Sequence, residues 1–182
     1  MYRTRGIRTQ NNSFAEDVLI PYFGIEKPIV GIEIGVASGG GSLGMLYRMP
    51  NLTLYGVDTW IHKDGEQYEL GGWSQDNHNE GKAQAENRLK EFGDRAKLIH
   101  ATSDEAVNLI PNECDFVFID GHHQYDQVVK DIANYNQKIR VGGLICGHDF
   151  IQVPDVTRAV YEKFDPIHIR QADDFIWWVI KV

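Results

Sequence analysis

A chain of 182 residues is long enough to bury one core and short for two, so a single domain spanning 1–182 is expected. The net charge of −8, with no basic stripe, excludes nucleic acid as the expected partner, and no stretch approaches the ~20 apolar residues of a membrane span. Arg3, Arg5 and Arg8 are followed by no apolar run, so no signal peptide is read and the expected location is cytoplasmic.

The chain opens with a lead-in, residues 1–27, polar at first and then helical in spacing over SFAEDVLIPYF from Ser13. PIVGIEIG from Pro28 is a short apolar run between Pro and Gly, as a buried parallel strand would be, and SLGMLYRM after it reads as a helix. NLTLYGVD is a second strand ending at Asp58. Residues 60–79, WIHKDGEQYELGGWSQDNHN, are too Gly-rich and aromatic for a plain connector and predict a long loop, either a lid or a packed excursion.

A helix from about His78 to Phe92, a strand KLIHA and a helix from Ser103 to Leu109 follow. CDFVFID then predicts a fourth strand ending at Asp120, Tyr125 to Ile139 a helix, and GGLIC a fifth strand just before His148 and Asp149. Pro154 and Asp155 open a further helix, and DPIHIR and DFIWWVIKV read as a closing antiparallel pair. This alternation predicts an α/β, doubly wound, seven-stranded sheet, mostly parallel with an antiparallel C-terminal strand and helices on both faces. Cys114 and Cys146 fall in or beside buried strands and are expected to serve packing.

The turn after the first strand reads Glu33-Ile-Gly35-Val-Ala37-Ser38-Gly39-Gly40-Gly41-Ser42 and leads into a helix, a shape that lets a ligand approach the backbone. Gly35, Gly40 and Ser42 fit the spacing of a nucleotide-phosphate loop, but Gly41 stands where that loop needs its lysine. A dinucleotide turn would carry Gly where Glu33 stands, and a carboxylate there repels pyrophosphate. A ligand with a cationic end and a ribose turns both acids into assets, with Asp58 placed to accept from ribose hydroxyls. S-adenosylmethionine has both features.

With EIGVASGGGS, YGVDTW, IDGHHQY and GGLICGHDF, the chain resembles the class I S-adenosylmethionine-dependent methyltransferases from about Pro28 to Val182. It is most similar to the metal-dependent small-molecule O-methyltransferases of catechol and macrolide-sugar type. The resemblance implies a Rossmann-like fold in which Glu33, Gly35, Ala37, Ser38 and Gly39 line the methionine and ribose end of the cofactor and Asp58 holds the ribose. It further implies that Thr59 and Trp60 border the adenine, and that Thr102, Ser103 and Asp104 lie along the adenine ring. Gly40 and Gly41 stand between Gly39 and Ser42, where the family usually has a single residue.

The same resemblance places a divalent cation on Asp120, His148 and Asp149, with Asp120 also meeting the methyl donor. Mg and Mn are the expected ions, and the imidazole of His148, at a place where the family commonly has an acid, suits Mn, Fe, Co or Zn better than Mg. A hard cation there would lower the pKa of an acceptor hydroxyl. His123 follows Asp120 by three, as a histidine does in the macrolide-sugar enzymes, and is the expected general base. His122 is expected to serve the turn or a neighbouring side chain, and Asp131, Trp177 and Trp178 to serve structure.

The expected activity is therefore methyl transfer to a hydroxyl of a small sugar, polyol or catechol-like acceptor, without nucleic acid or membrane. Two alternatives stand beside it: a metal-dependent hydrolase using the Asp/His cluster, which leaves Glu33 and Asp58 without a task, and a non-catalytic cofactor-binding module. A homo-oligomer is compatible with this composition.

Overall fold

The computed structural model of the chain describes residues 14–62 and 74–182. Its centre is a seven-stranded sheet in the order β3-β2-β1-β4-β5-β7-β6. The strands are β1 (Ile29–Ile34), β2 (Leu52–Asp58), β3 (Ala96–His100), β4 (Cys114–Ile119), β5 (Ile139–Gly147), β6 (Arg170–Ala172) and β7 (Ile176–Ile180). β1 to β5 are mutually parallel, β7 runs antiparallel to β5, and β6 pairs antiparallel with β7. This is the expected mostly parallel, doubly wound α/β architecture.

The helices are α1 (Ile20–Phe23), which continues a π-helical stretch Phe14–Leu19, α2 (Gly40–Arg48), α3 (Gln75–Leu89), α4 (Ser103–Ala106), α5 (Tyr125–Asn136) and α6 (Pro154–Lys163). Two apolar cores lie against the two faces of the sheet. One joins Ile32, Val117, Ile145 and Trp177 to Ile132 of α5 and Val160 of α6. The other joins Leu54, Phe116 and Phe118 to Phe14 and Leu19 of the lead-in and Met45 of α2. Phe14 sits 4.4 Å from the Phe118 ring centroid, and Arg48 Nε holds Glu16 at 2.6 Å, so the lead-in is a structural part of the sheet's cover.

Several expected boundaries move, each for a local reason. The helix placed at about His78 begins at Gln75, because Ser74 accepts from the Asn77 amide while the Asn77 side chain answers the Ser74 amide. The helix placed to Ile139 stops at Asn136, leaving Ile139 to open β5. DPIHIR is mostly a 3-10 turn, Pro166–His168, capped by Asp165 on the Ile167 amide, so only Arg170–Ala172 remains strand. Trp177 and Trp178 face opposite sides: Trp177 is fully buried, and Trp178 lies under the Arg170 guanidinium at 4.8 Å. Of the segment read as a lid, residues 63–73, with Tyr68 and Trp73, lie outside the described residues, as does Ser13 at the head of the lead-in helix.

The strand order reverses between β1 and β4. In such a sheet the crevice outside the carboxyl ends at that point is the natural ligand site. Both candidate halves, the glycine turn after β1 and the Asp/His cluster after β4 and β5, open there.

Candidate functional site

The turn after β1 is held by the end of β2. Asp58 Oδ2 accepts the amides of Val36 at 2.9 Å and Ala37 at 2.8 Å, and its Oδ1 accepts the Trp60 amide at 2.7 Å. Charge-assisted bonds of this kind are the stronger class, so Asp58 sets the shape of the turn. Trp60 does not border an open cleft. Its indole is 2 % exposed, packs against Val36 and Ala85, and donates from Nε1 to Ala37 O at 2.7 Å. Ser38 is gripped from outside by Arg88 of α3, whose Nη1 donates to Ser38 O at 2.8 Å and Oγ at 2.9 Å.

Gly35 joins the two halves. Its φ is +91°, and a Cβ there would lie 2.0 Å from the carbonyl oxygen of Asp120. Only a glycine lets the β1 turn rest on the end of β4. Asp120 in turn donates its amide to Ile34 O at 2.8 Å, and His148 its amide to Ile119 O at 3.1 Å, so the ladder of hydrogen bonds runs into the site from both sides of β4.

Glu33 is 1 % exposed and bonds to the hydroxyl of Ser42, itself buried at the start of α2. Burial pushes its carboxyl up to about 8, with Asp120 and Asp58 adding to the rise and the Ser42 bond opposing it. The unfolded chain releases this proton near the ordinary carboxylate value of 4.5, so the folded state holds more protons between about 4.5 and 8. Its contribution to stability is complete below that window and is lost as pH rises through about 8. Denaturant unfolding from pH 5 to 9 is expected to show wild-type stability falling by up to about 1.4 kcal/mol per unit from this group. Glu33→Gln is expected to flatten that slope; an unchanged slope refutes the assignment.

The adenine-side residues after β3 are tied to helices. Thr102 caps α4, bonding reciprocally with Glu105. Ser103 Oγ donates to Asp131 Oδ1 of α5 at 2.6 Å, Tyr135 donates to Ser103 O at 2.8 Å, and Asp104 meets Asn134 and Lys130. Thr59 O lies 2.6 Å from His100 Nε2 across the β2–β3 edge.

The acidic and imidazole side chains after β4 and β5 converge. His123 Nε2 is 3.0 Å from Asp149 Oδ2 and 3.6 Å from Asp120 Oδ1. His148 Nδ1 is 3.2 Å from Asp149 Oδ1 and 3.7 Å from Asp120 Oδ1. One ligand atom each from Asp120, His123 and Asp149 falls within a 4.8 Å span, a group able to chelate a divalent ion. Asp149 has a φ of +59°, an unfavourable value that an aspartate tolerates better than most residues. Gly147, just before, leaves room for the fold: a Cβ there would meet Ile119 O at 2.6 Å and the Trp177 ring.

Electrostatics in this cluster are mutual. Burial pushes the Asp120 carboxyl up, and the two histidines pull it back. Burial disfavours both imidazolium forms, yet the surrounding carboxylates overrule it, raising His123 and bringing His148 to about 9. Burial acts on Asp149 in the raising direction, but His148 and His123 leave it below the ordinary carboxylate value. The Nε2 atoms of His123 and His148 are buried without a well-directed hydrogen bond among the described residues. Two carboxylates, two imidazoles and the orphaned Nε2 of His123 fit a divalent cation. His122 stands aside: its Nδ1 accepts the Gln124 amide at 3.2 Å and shapes the turn into α5.

Residues 32–150 match a family model described as a methyltransferase domain. The chain belongs to this family. No curated protein matches the methyltransferase by sequence. Solved structures share its fold: the precorrin-6y C5,15-methyltransferase of Geobacter metallireducens (16 % identity, TM-score 0.65, covering 100 % of this chain and 94 % of that one). The S-adenosylhomocysteine-bound methyltransferase PaMTH1 of Podospora anserina shows 12 % identity and TM-score 0.62, with 85 % and 72 % covered. The O-methyltransferase NovP shows 20 % identity and TM-score 0.58, with 92 % and 76 % covered. The methyltransferase thus has a class I, S-adenosylmethionine-binding fold with a candidate chelating triad at its crevice. Among the described residues, no helix is long and apolar enough to cross a membrane.

Sequence reasoning missed two contributors and one contact. Arg88 carries no motif for its bonds to Ser38, and Ser42, read as part of the turn, was not read as the partner of Glu33. Asp174, on the β6–β7 turn, lies 3.8 Å from His148 Nε2, and only the fold brings it there.

Proposed function

We propose that the protein is a divalent-metal-dependent O-methyltransferase acting on a hydroxyl of a small sugar, polyol or catechol-like molecule. The observation that carries the reading is the convergence of Asp120, His123, His148 and Asp149 at the crevice that also opens onto the Asp58-held turn. S-adenosylmethionine, bound by Glu33, Gly35, Ala37, Ser38, Gly39, Asp58, Thr59, Trp60, Thr102, Ser103, Asp104 and Asp120, supplies an electrophilic methyl group on a sulfonium. Within that set Glu33, buried and bonded to Ser42, acts from beneath the turn, Trp60 by bracing it, and Ser103 by way of α5. A cation held by Asp120, His148 and Asp149 supplies a positive field that favours the deprotonated acceptor hydroxyl.

His123 Nε2 would take the acceptor hydroxyl proton, and bound S-adenosylmethionine would supply the methyl group to the freed oxygen lone pair, leaving as S-adenosylhomocysteine. Asp149 and Asp120 stabilise the imidazolium so formed. The β4–β5 ends hold these groups rigidly, so alignment comes from the sheet.

A second reading of one residue is favoured by the tight grouping of Asp120, His123 and Asp149: His123 is itself a ligand of the cation. Manganese calorimetry on His123→Ala separates the two, since a base can be removed with affinity kept, whereas a ligand cannot. The cofactor half is tested by titrating S-adenosylhomocysteine. Asp58→Ala is expected to weaken binding about 10- to 100-fold through loss of charge-assisted bonds, and EDTA to leave wild-type binding unchanged. Absence of binding to metal-replete wild type favours a hydrolase.

A further inference from the structure

We infer that Asp174 is the positioning residue for the His148 imidazole. His148 is 12 % exposed and presents its two ring nitrogens to opposite partners. Nδ1 faces Asp149 and Asp120, the cation side, while Nε2 faces Asp174 Oδ2 at 3.8 Å, its side chain 32 % exposed. Nε2 is buried without a hydrogen bond among the described residues, and the Asp174 carboxylate, beyond hydrogen-bond length at 3.8 Å, is the acid that faces it and is placed to orient the ring and favour a proton on Nε2.

The placement of Asp174 is built into the fold. The β6–β7 turn puts both Asp174 (φ +62°) and Phe175 (φ +56°) in the left-handed region, a conformation with a local cost. The turn is also fastened to the loop after β5, because the Phe150 amide donates to Phe175 O at 3.0 Å. Phe150 is buried, so the turn carrying Asp174 is tied to the loop carrying His148 and Asp149. A carboxylate behind a metal-side imidazole orients it and raises its donor strength, and loss of such a partner commonly costs 10- to 100-fold in metal affinity.

This inference rests on the reading of His148 as a cation ligand, and the experiment separates the two. Manganese binding is measured by calorimetry on wild type, Asp174→Gly, Asp174→Asn, His148→Ala and the His148→Ala/Asp174→Gly double variant. Glycine keeps the left-handed backbone while removing the carboxylate, and asparagine tolerates that backbone and keeps a neutral acceptor. Asp174→Gly is expected to bind manganese about 10- to 100-fold more weakly, Asp174→Asn to fall between, and the metal-free melting midpoints to match wild type. In the His148→Ala background the Asp174→Gly change is expected to add nothing, because its effect passes through the ring. Affinity of Asp174→Gly within twofold of wild type overturns the inference, as does full additivity in the double variant. If wild type binds no manganese, it is the metal reading that falls; if His148→Ala binds as wild type does, the assignment of His148 falls and the inference with it.

Discussion

Asp120→Asn is expected to lower methyl transfer about 10²- to 10⁴-fold and to abolish saturable manganese binding, while S-adenosylhomocysteine affinity stays within a few-fold of wild type. Both histidines approach the carboxylate of Asp120, at 3.6 Å from His123 and 3.7 Å from His148, as they do that of Asp149. Asparagine keeps its size and one acceptor oxygen but removes the charge that offsets a cation. The fold should tolerate the change, because burial already pushes the Asp120 carboxyl toward its neutral form. Its backbone, which supports Gly35, is untouched. Rates from single-turnover methylation, paired with calorimetry for metal and cofactor, check all three expectations. A variant that loses cofactor binding as completely as metal binding contradicts the division of the site into two halves.

Gly35→Ala is expected to damage both halves together. The new Cβ would stand 2.0 Å from Asp120 O and 2.8 Å from Gly121 Cα, contacts with backbone that no side-chain rotation relieves. Overpacking of this kind costs about 1–3 kcal/mol, and an L side chain at a positive φ about 1–2 kcal/mol more. Against a total stability on the order of 5–15 kcal/mol, a loss of about 3 kcal/mol is visible as a large shift in urea midpoint. S-adenosylhomocysteine binding is expected to fall with it, since β1 and β4 must part to make room. Gly40→Ala is the control: a Cβ there meets nothing within 4 Å, at the first position of α2, so its midpoint should equal wild type or rise slightly. Equal midpoints for Gly35→Ala and Gly40→Ala refute the close approach of turn and strand.

The parallel strands were legible because β1 and β4 are buried on both faces and so read as unbroken apolar runs, PIVGIEIG and CDFVFID, closed by Gly or Asp. Their order was legible only as a class, since crossover helices set it and those helices showed mainly as 3.6-residue spacing. Asp120, His123, His148 and Asp149 could be read as a cluster because each lies within a few residues of a strand's carboxyl end. The turn residues were less readable. Asp58 was assigned to ribose, and its bonds to the Val36, Ala37 and Trp60 amides depend on how the turn doubles back. Trp60 carried the loop's aromatic signal and proved to be a buried brace. Asp174 is the extreme case, 26 residues past His148 in a short acidic turn, with a role set wholly by antiparallel pairing of β7 with β5.

The proposal that cation and methyl donor meet at Asp120 is tested most directly by mass spectrometry of acceptor mixtures. Sugars, polyols and catechols are incubated with the protein, S-adenosylmethionine and manganese or magnesium, with and without EDTA. The expected result is an acceptor that gains one methyl group on oxygen when metal is present and none in EDTA, while EDTA-treated protein still binds S-adenosylhomocysteine. Full turnover in EDTA contradicts the account.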